Sequence, residues 1–149
     1  MWLHTRNHTI VALSPHPPLE PPEEPLQTQV QKWLTDYFSG HIQAVTNLPL
    51  APPGTPFQQR VWQQLHTIPP SQTETYGSLA HTLNTAPRAV GTALAANPIP
   101  ILIPCHRVVA AHGPGGYSGI QGITGKCLLL QLEKTTVSFP LIKHKNPRR

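Results

Sequence analysis

The sequence is poor in charge. Asp, Glu, Lys and Arg make up only 11% of its 149 residues, against roughly 25% in an average soluble protein. Acids are the scarcer sign: beyond Asp36 the chain holds only Glu74 and Glu133. Cysteine is limited to Cys105 and Cys127, too few for a disulfide framework, so a reducing, cytoplasmic setting is expected. No apolar run approaches the roughly 20 residues that a membrane span requires. The opening residues, MWLHTRNHTIVAL, lack the apolar segment and small-residue cleavage site of a secretory leader. The nine histidines are scattered and there is no Cys-x-x-Cys, so neither a metal site nor a cofactor is expected.

Proline, in contrast, is abundant at 19 residues, and six fall between Pro15 and Pro25. The net charge of +5 is also unevenly spread. Residues 1–36 carry two basic and four acidic side chains, whereas residues 37–149 carry nine basic and two acidic ones. An acid-poor region of this size suits a polyanion partner. Charge alone does not separate that reading from a merely basic surface with a basic tail.

Thr9–Leu13 reads as a strand, followed by a proline-rich linker that cannot enter helix or sheet interior. Leu26, Val30, Trp33, Leu34, Tyr37 and Phe38 recur at helical spacing, which predicts an amphipathic helix ending near Gly40. A second proline-rich joint, LPLAPPG, precedes a clear helix start: Thr55 as N-cap, Pro56 at the first helical position and Gln58 completing a capping box. Phe57, Val61, Leu65 and Ile68 supply its apolar face, and Pro69-Pro70 ends it. Two short helices are predicted over Ser78–Leu83 and Pro87–Ala96, with the rhythm of a helix-turn-helix; an ordinary helical hairpin has the same pattern. The second, PRAVGTALAAN, is built of small residues with Arg88 near its start. Ile99–Ile103 reads as a buried extended segment leading to Pro104-Cys105-His106-Arg107. A glycine-rich loop follows, then a last helix that Thr124 can cap and that contains Glu133. The segment TVSFPLI alternates weakly before a basic tail.

Cys105 is the candidate nucleophile. A thiol with pKa near 8.5 is only a few per cent thiolate at neutral pH and needs a proton acceptor. Histidine is the usual one, and His106 is adjacent. In an extended segment neighbouring side chains point opposite ways, so contact requires a turn or a bridging water. A carboxylate on the other ring nitrogen would help, and the candidates are Glu133 and Glu74. Cys127 reads as structural, on the apolar face of the last helix.

In this order, Gly54-Thr55-Pro56-Phe57, Thr75-Tyr76-Gly77, Arg88-Ala89-Val90-Gly91, Asn97-Pro98, Pro104-Cys105-His106-Arg107-Val108, Gly116-Tyr117-Ser118-Gly119 and Lys126 followed by Glu133 match a known pattern. Across about residues 26–133 the chain resembles the O6-alkylguanine-DNA alkyltransferases. The resemblance implies an α+β fold: a mainly helical alkyltransferase domain with a winged-helix-like helix-turn-helix, preceded by a truncated N-terminal segment. The expected division is residues 1–50 for the reduced segment, 51–140 for the alkyltransferase and DNA-binding domain, and 141–149 for the tail.

The resemblance also implies an activity: irreversible transfer of an alkyl group from O6-alkylguanine in DNA to the protein's own cysteine, with O4-alkylthymine a further candidate substrate. Cys105 matches the acceptor, His106 its water-bridged base, Glu133 the carboxylate orienting the imidazole, and Asn97 the buttress of the turn. Arg88 matches the finger that replaces the flipped nucleotide, and Tyr76 the tyrosine pressing on the adjacent phosphate. Ala89, Gly91 and Ala95 would let their helix approach the minor groove of double-stranded DNA. Pro100, Val108, Tyr117 and Ser118 match the pocket around the base. A cytoplasmic monomer, nucleoid-associated in a prokaryote, is expected. The alternative class is a non-enzymatic lesion binder of the alkyltransferase-like type, whose members typically lack the cysteine.

The chain departs from the family pattern in five places. Its N-terminal part is shorter, the Tyr76–Arg88 interval is tightened, the loop from Cys105 to Tyr117 is one residue short, Ile120 stands where a second glycine is common, and Glu74 stands where a neutral or basic residue is usual.

Overall fold

The structure, a computed structural model, describes residues 1–45, 47–119 and 121–134. TVSFPLI and the basic tail therefore lie outside the described residues, as does Ile120. The chain begins with an antiparallel hairpin, β1 (Trp2–Arg6) and β2 (Thr9–Ser14), not with the single strand expected. Its two-residue loop, Asn7-His8, has both residues at positive φ, the geometry whose twist matches that of the flanking strands. The proline-rich linker forms no regular element before α1 (Glu24–Phe38), which Pro25 opens within its first turn. Glu23 ties the linker back to the hairpin, accepting from the backbone N–H of His8 at 3.0 Å.

The helix α2 (Pro56–Leu65) carries the capping box read from sequence: Thr55 Oγ1 accepts from the Gln58 N–H, and Gln58 Oε1 accepts from the Thr55 N–H. It stops at Leu65, one turn earlier than its apolar pattern suggested. Ile68 is still buried, but in the turn that follows. The expected pair of helices is present as α3 (Tyr76–Thr82) and α4 (Pro87–Ala95), joined by a turn in which Asn84 takes φ +54°. The Trp62 indole donates to the Ala93 carbonyl at 2.9 Å and fastens α2 to α4.

Two short strands, β3 (Glu74–Thr75) and β4 (Val108–Val109), pair in parallel, Glu74 opposite Val108. That ladder brings the start of α3 beside the chain leaving Cys105. The last helix, α5 (Gly122–Leu132), starts from a left-handed Gln121 with no side-chain cap. Thr124 is therefore inside it rather than capping it, because the chain enters the helix two residues earlier. Cys127 is half-buried and Ile123, one turn before it, is exposed; the buried face runs instead through Gly125, Lys126, Leu129 and Leu130.

One apolar core extends from Leu3, Ile10 and Leu13 of the hairpin through Leu26 and Val30 of α1 to Val61, Leu65, Val90 and Val108. The fold is α+β. Backbone bonds also stitch the first residues to the rest: the Leu13 N–H donates to the Pro98 carbonyl at 2.9 Å, and the Ala51 N–H to the Ile10 carbonyl at 2.8 Å. Among the described residues no helix is long and apolar enough to cross a membrane.

Candidate active site

Asn97 organises the chain that carries Cys105. Its Nδ2 donates to the Ile103 carbonyl and its Oδ1 accepts from the Ile99 N–H, both at 3.0 Å. Between these anchors Ile99–Ile103 is a tight turn, not the extended segment expected from its apolar run. The Ile103 N–H donates to Ile99 O and the Leu102 N–H to Pro100 O. Ile101 sits at φ +72°, a left-handed value that a β-branched residue adopts only under strain of order 1–3 kcal/mol. The clamp is what holds it there.

Cys105–Arg107 then form a single 3-10 turn, so the divergence of side chains in an extended strand does not apply. Cys105 is 7% exposed and His106 is fully buried. The His106 Nε2 lies 2.5 Å from Glu133 Oε2. The second carboxylate oxygen accepts from Arg107 Nε at 2.7 Å, and Arg107 Nη1 donates to the Ile68 carbonyl at 2.9 Å. Tyr37, from α1, donates its hydroxyl to Glu133 Oε2 at 2.5 Å. Glu133 stands at the C-cap of α5 rather than inside the helix.

The electrostatics follow from burial and these partners. Burial alone would raise the Glu133 pKa, but hydrogen bonds from His106 and Arg107 outweigh it and bring it to about 2. An ionised Glu133 requires a proton on His106 Nε2, which leaves Nδ1 of the neutral ring as the acceptor. Nδ1 has no hydrogen-bond partner among the described residues. Burial pushes the His106 pKa down, and Glu133 only partly restores it. Burial also pushes the Cys105 thiol up, against the Asn97 amide and the Lys126 charge. The resting pair is a thiol beside a neutral imidazole.

Lys126 is buried, and among the described residues it has no carboxylate partner. Its ammonium donates to the carbonyls of Val108 at 2.6 Å and Gly116 at 3.0 Å. Burial lowers its pKa to about 8, opposed by the thiolate forms of Cys105 and Cys127. Tyr76 joins the same group, its hydroxyl donating to Gly116 O at 3.3 Å and its ring 5.6 Å from the Lys126 ammonium. Gly115 is needed here: its φ is +75°, and a Cβ would come within 2.7 Å of the Tyr76 ring.

Two cavities meet at Cys105. One, of about 360 Å³, is lined by Tyr76, Gly91, Leu94, Ala95, Tyr117 and Ser118 with Cys105. The other, of about 540 Å³, lies on the side of Asn97, Pro100 and Gly119, and strand β2 forms its far wall through Ala12–Ser14. The Tyr117 hydroxyl is buried with no hydrogen-bond partner among the described residues, and burial raises its pKa, so it stays protonated. Ser118 Oγ donates to the Ala95 carbonyl at 3.0 Å.

Cys105, His106, Glu133 and Asn97 are thus gathered at one turn, and Tyr76, Gly91, Ala95, Pro100, Tyr117 and Ser118 surround it. Val108 lines neither cavity; its side chain is in the core and its carbonyl holds Lys126. Arg88 and Ala89 are away from the cavities, Arg88 exposed at the start of α4 and Ala89 half-buried. Glu74 accepts from Ser78 Oγ at 3.1 Å, a contact within the start of α3. Sequence reasoning assigned no task to Tyr37, Arg107 or Lys126. A lysine in the otherwise apolar stretch GKCLLL is a signal for the last of these, because such a group must find acceptors. Among the described residues no three His, Cys, Asp or Glu side chains gather where a metal ion could be held.

Comparison with known proteins adds to the geometry. Residues 56–135 match the family described as 6-O-methylguanine DNA methyltransferase, DNA binding domain. A methylated-DNA--protein-cysteine methyltransferase of Haemophilus influenzae is 44% identical over 115 residues, covering 75% of this chain and 63% of its own length. One from Metallosphaera sedula is 41% identical over 112 residues, covering 75% of this chain and 70% of its own. The chain thus matches less than two thirds of the Haemophilus relative. Among solved structures, Mycobacterium tuberculosis OGT in complex with DNA superposes with a TM-score of 0.77 at 36% identity, over 89% of this chain and 85% of that one.

Proposed function

The chain belongs to the 6-O-methylguanine DNA methyltransferase family, and on that footing we propose that it repairs DNA by moving an alkyl group from O6-alkylguanine onto Cys105. The observation that carries this reading is the turn Cys105–Arg107. It sets a cysteine at the meeting point of two cavities, directly before a buried histidine locked onto Glu133.

The chemistry runs as follows. His106 Nδ1 takes the Cys105 proton through a bridging water, and Glu133 stabilises the imidazolium through Nε2. The thiolate attacks the alkyl carbon in line; the S–C bond forms, the C–O6 bond breaks, and the electron pair leaves on the guanine. The Tyr117 hydroxyl, a protonated donor without another partner among the described residues, stabilises that charge. The guanine stays joined to its sugar in the DNA and becomes the neutral base by taking up the proton that the His106 imidazolium returns through water. The thioether has no route back, so each molecule acts once.

The alkylated oxygen of a paired base lies inside the stack, and extruding it costs a few kcal/mol, less for a lesion that pairs poorly. The exposed side of α4 offers Arg88, Gly91, Thr92 and Ala95 at helical spacing. Small side chains there permit close approach to the minor groove, which is read without much sequence preference, and Arg88 fills the gap left by the flipped nucleotide. Tyr76, at the start of α3, bears on the neighbouring phosphate. Residues 51–140 form the unit that binds DNA and transfers the group.

Incubation with a duplex carrying O6-methylguanine, followed by peptide mass spectrometry, tests the proposal. One added methyl on the Cys105 peptide is expected, and none in Cys105→Ser. Tight lesion binding without modification, or methyl on Cys127, would overturn it.

A further inference from the structure

The contact of Tyr37 with Glu133 joins residues 96 apart in sequence, and the reaction just described does not use it. Tyr37 is fully buried. Its ring stacks on Trp33 at 5.2 Å and meets the edge of Phe38 at 5.3 Å, and it packs with Ile101 and Leu129. Water is excluded from this corner, and Glu133 is the acceptor the hydroxyl has found. Oε2 of that carboxylate receives two donors, Tyr37 Oη and His106 Nε2, each at 2.5 Å, while Oε1 receives Arg107.

We propose that Tyr37 is a positioning residue for alkyl transfer, which through Glu133 fixes the orientation of His106 and limits its basicity. The inference rests on the assignment of Cys105 and His106 made above. Two donors on one oxygen compete for its charge: what Tyr37 draws from Oε2 is not available to an imidazolium at His106. Burial and the neighbouring carboxylate raise the Tyr37 pKa far above its ordinary value, so the hydroxyl donates throughout the working pH range. Arg107 adds a fixed positive charge on the other oxygen. Together they keep Glu133 ionised yet a weak partner for a charged His106, and the ring rests neutral with Nδ1 ready to accept a proton. The helix that supplies Tyr37, α1, lies outside residues 51–140 and thereby takes a share in the chemistry.

Tyr37→Phe removes the hydroxyl and keeps the ring. The measurement is the pH dependence of single-turnover alkylation by free O6-benzylguanine, read as modified Cys105. Without its second donor, Oε2 favours imidazolium, so the acid limb of the profile moves up by about one pH unit and the plateau falls. Trp33→Phe perturbs the same packing without touching the hydroxyl; it is expected to lower stability and leave the acid limb where it was. An unmoved limb in Tyr37→Phe, or equal shifts in both variants, would overturn the proposal while leaving Cys105 as acceptor. Absence of Cys105 modification by the O6-methylguanine duplex in the unaltered protein would overturn the underlying assignment instead. Should Tyr37→Phe fail to fold, the unaltered protein still decides. A Tyr37 hydroxyl proton protected from exchange and close to the His106 ring is expected by NMR, and its absence would sink the idea.

Discussion

Acidification probes the buried carboxylate directly. Glu133 is 1% exposed, and its pKa is about 2 against an ordinary 4.5. Because the folded value is the lower one, the unfolded chain binds this proton first. The stability contributed by Glu133 is complete above pH 4.5 and disappears as the pH falls toward 2. A difference of about 2.5 units at 1.36 kcal/mol each amounts to ~3 kcal/mol, a large part of the 5–15 kcal/mol that typically holds a domain folded. His106 adds to the acid sensitivity. Its pKa is below 6.5 in the fold, so its contribution is present above pH 6.5 and declines as the pH falls through the folded value. Urea unfolding followed by tryptophan fluorescence, repeated from pH 7 to pH 2.5 at fixed ionic strength, reads both. In Glu133→Gln the slope below pH 4.5 is expected to flatten. Its stability at neutral pH should fall by about 3–5 kcal/mol, since Arg107 keeps a buried charge without its partner. A Glu133→Gln curve with the parent's slope below pH 4.5 would refute the reasoning, because the lost proton would then belong to another group.

Three further outcomes are expected. Arg88→Ala should slow repair of O6-methylguanine in duplex DNA by an order of magnitude or more while leaving the reaction with free O6-benzylguanine unchanged; equal losses on the two substrates would argue against a role in extrusion. Gly115→Ala should destabilise by about 1–3 kcal/mol, because both the φ of +75° and the Tyr76 ring oppose a Cβ. Urea midpoints check it, and an unchanged midpoint would mean that the loop relaxes freely. Thr55→Ala should cost about 1 kcal/mol through loss of the α2 cap, with Cys105 reactivity unaltered in a single-turnover assay.

The parts of the fold that were legible in sequence are those decided locally. Thr55, Pro56 and Gln58 announce the start of α2 within four residues, and the structure contains each expected bond. The start of α4 at Pro87 is equally local. Only half of the hairpin is legible in sequence, because Trp2–Arg6 has little alternation of its own. Its register instead depends on Asn7 and His8 both adopting positive φ, which a histidine does not advertise. Ile99–Ile103 departs from its sequence pattern for the opposite reason. An apolar run reads as extended, but Asn97 bends this one by bonding to both its ends, and a β-branched residue at φ +72° is not something local preference foretells.

The candidate site divides along the same line. The residues of Pro104-Cys105-His106-Arg107 could be singled out because thiol chemistry needs a base nearby, whereas Tyr37 was seen only as one more apolar position on α1. Helical periodicity reports that a side chain is buried; it does not report what its hydroxyl touches. A buried tyrosine hydroxyl nevertheless seeks an acceptor, and the scarcity of acids narrows the choice. Beyond Asp36 the only carboxylates are Glu74 and Glu133. Glu74 is occupied by Ser78 at the start of α3, while Glu133 closes α5 beside α1. In this chain one buried carboxylate therefore has to satisfy an arginine, a histidine and a tyrosine at once. No substitution of Glu133 can perturb one of these partners alone, whereas Tyr37→Phe withdraws one donor and leaves the other two in place.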